Sequence, residues 1–275
     1  MITSASCILE DIPACKTDGT ISVYIKDKNY ENIDEIDGAL KLDENLPFSS
    51  YITDLTIWRR AEGDKTGESF KAEMPGNSKH ITIPQSYLKY GNNELVLIGN
   101  ENIQEQWDGI TARELHPGAT EYADIYIGGK QVFSPSYEDT AIWMFRSKGR
   151  LLIIPDRFPP EIASAEVTIK DVYRTIGPGM TYSGSTQIVK KFTTAPGRVL
   201  GISSAPSISP ANISQVKIVL TKKDGTTTSL SNIGTSIQRN RISVIRPIYN
   251  PDTGKWTLEM LVDGNWIQTD NLHID

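Results

Sequence analysis

Apolar and polar residues alternate along most of the chain, and this period of two predicts strands. In "TISVYI" the alternation puts Ile21, Val23 and Ile25 on one face; "EVTIKDVY" does so with Val167 and Ile169, and "STQIVKKF" with Ile188 and Phe192. Between such runs stand turn dipeptides: Gly128-Gly129 between "ADIYI" and "KQVF", Lys148-Gly149 between "AIWMF" and "RLLII", Asp224-Gly225 after "KIVLTKK", and Asp263-Gly264 between "LEMLV" and "NWIQT". Each offers the positive backbone angle that a tight hairpin requires. Fifteen prolines and 21 glycines leave little room for long helices. The one helical candidate is 102–115, "NIQEQWDGITAREL", where Ile103, Trp107, Ile110 and Leu115 fall loosely on a helix face that Gly109 weakens.

One pattern occurs twice. "ITDLTIW" at 52–58 and "ISQVKIV" at 213–219 lie 161 positions apart, and at the same offset Ile81-Thr82-Ile83 lines up with Ile242-Ser243-Val244. The step of three from Ile52 to Leu55, followed by the step of two to Ile57, reads as a turn that seats one isoleucine before a strand enters the core. Ile213, Val216 and Ile218 repeat it. The expectation is an all-β chain of two related β-sandwich domains, jelly-roll or immunoglobulin-like, at 1–160 and 161–275, the first with a β-rich insertion at about 105–160. A chance likeness between two amphipathic segments is the alternative. Pro155, Pro159 and Pro160 in "RLLIIPDRFPPEIA" make a stiff connector that marks the boundary, and "RTIGPGMTYSGS" is a second candidate for one.

With 275 residues, 38% of them apolar, the chain has ample material for a core. No run approaches the roughly 18 apolar residues of a membrane helix. Net charge is −6, which argues against nucleic acid as the main partner. The charge is uneven: residues 1–175 carry 18 Lys+Arg against 28 Asp+Glu, residues 176–275 carry 10 against 6, so the parts stand at −10 and +4. Chance variation between surfaces accounts for this; the alternative is that acidic and basic faces of neighbouring copies complement one another. The opening "MITSASCILEDIPACKTDG" has no basic n-region and meets Glu10 and Asp11 early, so no secretory leader is expected. Cys7 and Cys15 accordingly read as reduced thiols, with one local bridge as the alternative.

No catalytic, cofactor or metal site stands out. His80, His116 and His273 lack ligand spacing, no serine sits in a Gly-x-Ser-x-Gly elbow, and "GPGMTYSG" has no following Lys-Ser/Thr for a phosphate loop. The acidic run "YENIDEIDGALKLDENL" departs from EF-hand spacing and reads as a solvated loop. Asn212-Ile213-Ser214 is a sequon by letter only. Among the aromatics, Trp58 and Trp256 lie in predicted strands and suit a core, whereas Trp107 and Trp266, flanked by polar residues, are the candidate exposed interface anchors.

The stretch 187–220, "QIVKKFTTAPGRVLGISSAPSISPANISQVKIVL", with its echo around 21–58, resembles the opening strands of virion jelly-roll domains: an apolar strand, a Pro-Gly corner, a second strand and a short turn into a third. In outline the chain is similar to double jelly-roll capsid proteins or to phage tail and baseplate modules. That resemblance implies a non-enzymatic structural protein, made in host cytoplasm and carried in the virion, whose partners are copies of itself and other virion proteins. The alternative function is a carbohydrate- or receptor-binding module using exposed Trp and Tyr faces.

Overall fold

The structure, a computed structural model, describes residues 18–74, 76, 78–88, 91–101, 111–133, 140–193, 198–269 and 272–274. Cys7, Cys15, Trp107 and the leader question lie outside those residues, as does most of the helical candidate. Of that candidate, Arg113–Glu114 is a short strand and Leu115 is buried.

The fold is an all-β sandwich architecture of three sheets. The first is built from β1 (Gly19–Ile25), β2 (Leu55–Ala61), β3 (Glu68–Lys71), β4 (His80–Ile83), β5 (Asn93–Gly99), β7 (Tyr126–Phe133) and β8 (Thr140–Arg146), in the order β3-β2-β5-β7-β8-β1-β4; β6 is Arg113–Glu114. Phe70 of β3 and Ile81 and Ile83 of β4 stand at opposite ends of that order yet share one buried cluster with Ile21, Val23, Leu95, Leu97, Ile142 and Met144. The sheet therefore curls over its own inner face, and Phe48, Tyr51 and Ile52 join the same cluster. Pairing is antiparallel except between β1 and β8, which run parallel.

Downstream, β9 (Gly149–Ile153), β12 (Leu200–Ser204), β15 (Ile242–Asn250), β16 (Lys255–Val262) and β17 (Asn265–Thr269) make a five-stranded sheet, ordered β12-β9-β15-β16-β17. Facing it are β10 (Ile162–Gly177), β11 (Thr181–Thr193), β13 (Ser214–Lys222), β14 (Thr227–Thr235) and β18 (His273–Ile274), with β6 paired to β10. Val167, Ile169, Val216, Ile218 and Leu230 from one sheet and Leu151, Ile153, Ile202, Ile245 and Leu258 from the other fill a shared core. The alternation read from sequence thus decides the inner face of β10 and β13, whereas β2 and β5 are buried on both faces.

The proline connector crosses from one of these sheets to the other, with Phe158 packed edge-on to Trp256 at 5.0 Å. "RTIGPGMTYSGS" is the turn of the long β10–β11 hairpin, where Gly177 pairs with Thr181. Asp224-Gly225 and Asp263-Gly264 are hairpin turns with positive φ at Gly225, Asp263 and Gly264. The other two dipeptides are not. Gly128 and Gly129 lie inside the continuous strand β7, and Gly149 opens β9 in a different sheet from β8. The repeated pattern also diverges: Ile52 is fully buried but its counterpart Ile213 is 47% exposed. Ile81 sits in an antiparallel edge strand, whereas Ile242 sits in β15, between parallel β9 and antiparallel β16.

The acidic run packs across the second sandwich. Its carboxylates face solvent, but Ile33 and Ile36 bury against Ile242 and Val244. Asn32 exchanges two hydrogen bonds of 2.8 Å with the Ile242 backbone, donating to its carbonyl and accepting from its N–H. This fixes one wall of the site described next.

Candidate functional site: an exposed aromatic platform

Parallel pairing of β1 with β8 sets Tyr24 directly beside Trp143 on the outer face of the first sheet, opposite the buried Val23, Ile25, Ile142 and Met144. The two rings stack with centroids 4.7 Å apart and planes 25° from parallel. Trp143 remains 46% exposed, an unusual state for the largest apolar side chain. The Lys79 ammonium donates to Tyr24 Oη at 2.8 Å and lies 4.6 Å from that ring's centroid, while Lys26 Nζ lies 5.8 Å from the Trp143 ring.

Two open depressions adjoin at this platform and share Trp143, Lys28 and Asn45. One, of about 560 Å³, runs from Tyr24 to Pro47 and is bordered by Ser78, Lys79 and His80. The other, of about 530 Å³, is bordered by Lys26, Asn29, Glu31, Asp34 and Glu44. The wall between them is an ordered loop rather than a loose one. Asn29 donates to the Leu42 carbonyl at 3.0 Å and accepts from Leu42 N–H at 2.8 Å, Tyr51 Oη donates to the Asp43 carbonyl at 3.1 Å, and Asp34 pairs with Lys41 at 2.9 Å. On the floor strands Ser22 Oγ and His80 Nδ1 are 3.1 Å apart. The result is a surface offering an exposed indole backed by a stacked tyrosine, ammonium groups and amide side chains to one ligand.

A second polar cluster is buried and structural. Arg146, 5% exposed, donates to Tyr126 Oη from Nε at 3.1 Å and Nη2 at 2.7 Å, and its Nε lies 2.9 Å from Asp124 Oδ2. Asp27 accepts from Arg146 N–H at 3.0 Å and from Arg239 Nη1 at 2.7 Å, tying the first sheet to the loop before β15. Burial pushes the Asp124 carboxyl above the usual carboxylate range against the opposing pull of Arg146, Lys148 and Arg150. Burial likewise pushes Tyr30 up to about 12 and Lys148 down to about 7. The Lys148 ammonium donates to the Tyr122 carbonyl at 3.0 Å.

His116 is a satisfied core histidine: Nε2 accepts from Ala205 N–H at 2.9 Å, which leaves Nδ1 to donate to the Thr120 carbonyl at 3.1 Å. Burial, reinforced by the charge of Lys148, pushes it down to about 3. Among the described residues no group of three His, Cys, Asp or Glu side chains is placed to hold a metal. No helix among them is long and apolar enough to cross a membrane.

Trp266 is 36% exposed on β17, with the Arg246 guanidinium 3.7 Å from its ring centroid. Trp58 and Trp256 are buried as their strands predict. Sequence reasoning missed Trp143. The available signal was its alternation in "AIWMF" with the apolar Ile142 and Met144, which puts it on the face opposite the core.

No family model and no curated protein matches the chain. Solved structures do. A protein described as a candidate adhesin from Bacteroides ovatus aligns over 97% of this chain and 99% of its own, with 11% identity and a TM-score of 0.55. A protein described as a candidate polysaccharide-binding protein from Bacteroides thetaiotaomicron aligns over 93% and 99%, with 11% identity and a TM-score of 0.56. The fimbrial anchor protein Mfa2 from Porphyromonas gingivalis aligns over 92% and 99%, with 12% identity and a TM-score of 0.50. The chain has their fold.

These neighbours overturn the virion resemblance and with it the capsid or tail role, the virion partners and the route from host cytoplasm to virion. The physical reason lies in pairing. Jelly rolls are antiparallel, whereas here β1 with β8 and β9 with β15 are parallel. Any antiparallel sandwich produces the alternation that suggested the resemblance.

Proposed function

We propose that the chain is a non-enzymatic glycan-binding protein of the bacterial cell surface, and that it holds its ligand on the Tyr24–Trp143 platform. The supporting observation is the stacked ring pair with its exposed tryptophan bordering two depressions, one largely apolar and rimmed by Lys28, Asn45, Ser78 and Lys79, the other polar. A pyranose presents a face of C–H groups that packs against an aromatic ring, while its hydroxyls require donors and acceptors at the rim; Lys28, Asn45 and Ser78 stand there. A cross-strand aromatic pair stabilises a sheet whether wet or dry, so the stacking alone would not carry this reading. The described function of the Bacteroides thetaiotaomicron neighbour is of the same kind. Because Trp143 supplies much of the contact face, Trp143→Ala is expected to weaken glycan binding by roughly tenfold or more. A glycan array followed by calorimetry on its strongest ligand checks this, and unchanged affinity in the variant would remove the platform from the account.

Self-association is a second reading with its own observation. β17 is an edge of the five-stranded sheet and carries Trp266 and Ile267, 36% and 48% exposed. Sedimentation velocity over a wide concentration range is expected to show salt-sensitive oligomers that Trp266→Ala reduces; a monomer throughout would end this reading.

A further inference from the structure

We infer that the larger depression beside the platform selects an acidic saccharide, one bearing a uronate carboxylate or a sulfate ester. The inference rests on the glycan reading of the Tyr24–Trp143 platform and concerns which sugars it takes. Overall the protein is acidic, at −6, and its first 175 residues stand at −10, yet among the described residues the depression running from Tyr24 to Pro47 is lined by Lys28, Lys79 and His80 and by no carboxylate. Among the described residues neither Lys79 nor Lys28 is paired with an acidic side chain: Lys79 donates to Tyr24 Oη at 2.8 Å, and Lys28 donates to the Glu44 backbone carbonyl. An ammonium has three donors, so each retains capacity for an anion. Lys41 and Lys71, by contrast, are neutralised by Asp34 and Asp54.

The arrangement also separates two ligand chemistries across one tryptophan. On the other side of Trp143 the depression carries Glu31, Asp34 and Glu44 beside Lys26 and Lys28, a mixed lining suited to neutral hydroxyls. A sugar stacked on the rings with its acidic group toward Lys28 and Lys79 would gain two charge-assisted hydrogen bonds. In the reverse orientation that group would meet a lining whose three ammoniums, Lys26, Lys28 and Lys41, are offset by three carboxylates, with no net charge to attract it. Orientation along the groove is therefore biased by charge toward the side that carries Lys79 and no acid among the described residues, and discrimination between acidic and neutral polymers follows from it.

The test uses the full chain with polygalacturonate, chondroitin sulfate, neutral dextran and poly-glutamate as probes, by calorimetry at low and high NaCl. The expected result is that polygalacturonate or chondroitin sulfate binds at least tenfold more tightly than dextran and poly-glutamate, and that salt weakens the preference. Lys79→Gln, an exposed position, and the double variant with Lys28→Gln are each expected to reduce the acidic preference severalfold or more, whereas Lys217→Gln on β13 leaves it intact. Equal binding of dextran and the acidic polymers, with no effect of the lysine variants, would overturn the inference while the platform stands. Poly-glutamate binding as tightly as the acidic sugars would overturn it too, reducing the effect to charge alone. If no polysaccharide binds, neutral or acidic, the glycan reading itself falls and takes this inference with it.

Discussion

Arg146→Ala is expected to destabilise the protein by about 3 kcal/mol, the low end of the range for removing one partner of a buried ion pair, because Asp124 keeps 29% of its side chain exposed to water. Arg146 leaves three kinds of partner behind. Tyr126 Oη loses two donors, Asp124 loses a guanidinium 2.9 Å away, and the Tyr30 ring loses the cation that sits 4.1 Å from its centroid. Asp124 then dominates the pH response. Its carboxyl is already raised by burial, and without Arg146, the largest of the opposing influences, it rises further. A folded-state pKa above the unfolded value means that the unfolded chain releases its proton first as pH increases, so stability is lost as pH climbs toward the folded pKa. The deficit of Arg146→Ala is therefore expected to be smaller at pH 5 than at pH 8. Arg146→Lys retains the charge but not the fork and should fall between variant and parent. Denaturant unfolding at the two pH values measures all of this. A loss under about 1 kcal/mol at pH 8 would mean that the cluster is solvated and not a buried joint.

That joint was invisible in the sequence because its members come from positions far apart: Asp27, Asp124, Arg146 and Arg239 meet only through the β1–β8 parallel pairing and the loop before β15. Local chemistry was far more legible. Strand faces followed from alternation at Ile21, Val23, Val167 and Ile169, all buried, because a period of two leaves one face no choice. Asp263-Gly264 could be read as a hairpin because both residues adopt positive φ. The same rule failed at Lys148-Gly149 and Gly128-Gly129, since a glycine kept for close approach looks identical in sequence to one kept for a left-handed turn. Trp143 was half legible: alternation assigns it to the outer face, but its partner Tyr24 is 119 positions away and only parallel pairing brings them together.

Gly149 carries the second large effect. A Cβ built there would lie 2.1 Å from the Gln238 carbonyl oxygen and 3.0 Å from that of Arg241, both main-chain atoms. Neither can yield cheaply. The Arg241 carbonyl accepts from Arg150 N–H at 2.9 Å, the Gln238 carbonyl accepts from Arg241 N–H at 3.3 Å, and Asn240 N–H donates to the Lys148 carbonyl at 2.9 Å, so the 238–241 turn is clamped to both flanks of Gly149. Ordinary contact would require a displacement of about 1 Å across this clamp, breaking hydrogen bonds in the strip that joins β9 to β15. Gly149→Ala should accordingly cost about 3 kcal/mol or more, a fall in melting temperature of roughly 10 °C for a chain of this size. Gly129→Ala supplies the contrast, because a Cβ there meets nothing within 4 Å and the backbone angle is not left-handed. It is expected to stay within about 0.5 kcal/mol of the parent. Differential scanning calorimetry on both variants decides between the two uses of glycine. If Gly149→Ala melted with the parent, the start of β9 would have room that these carbonyl positions deny, and the close approach would not be what keeps a glycine there.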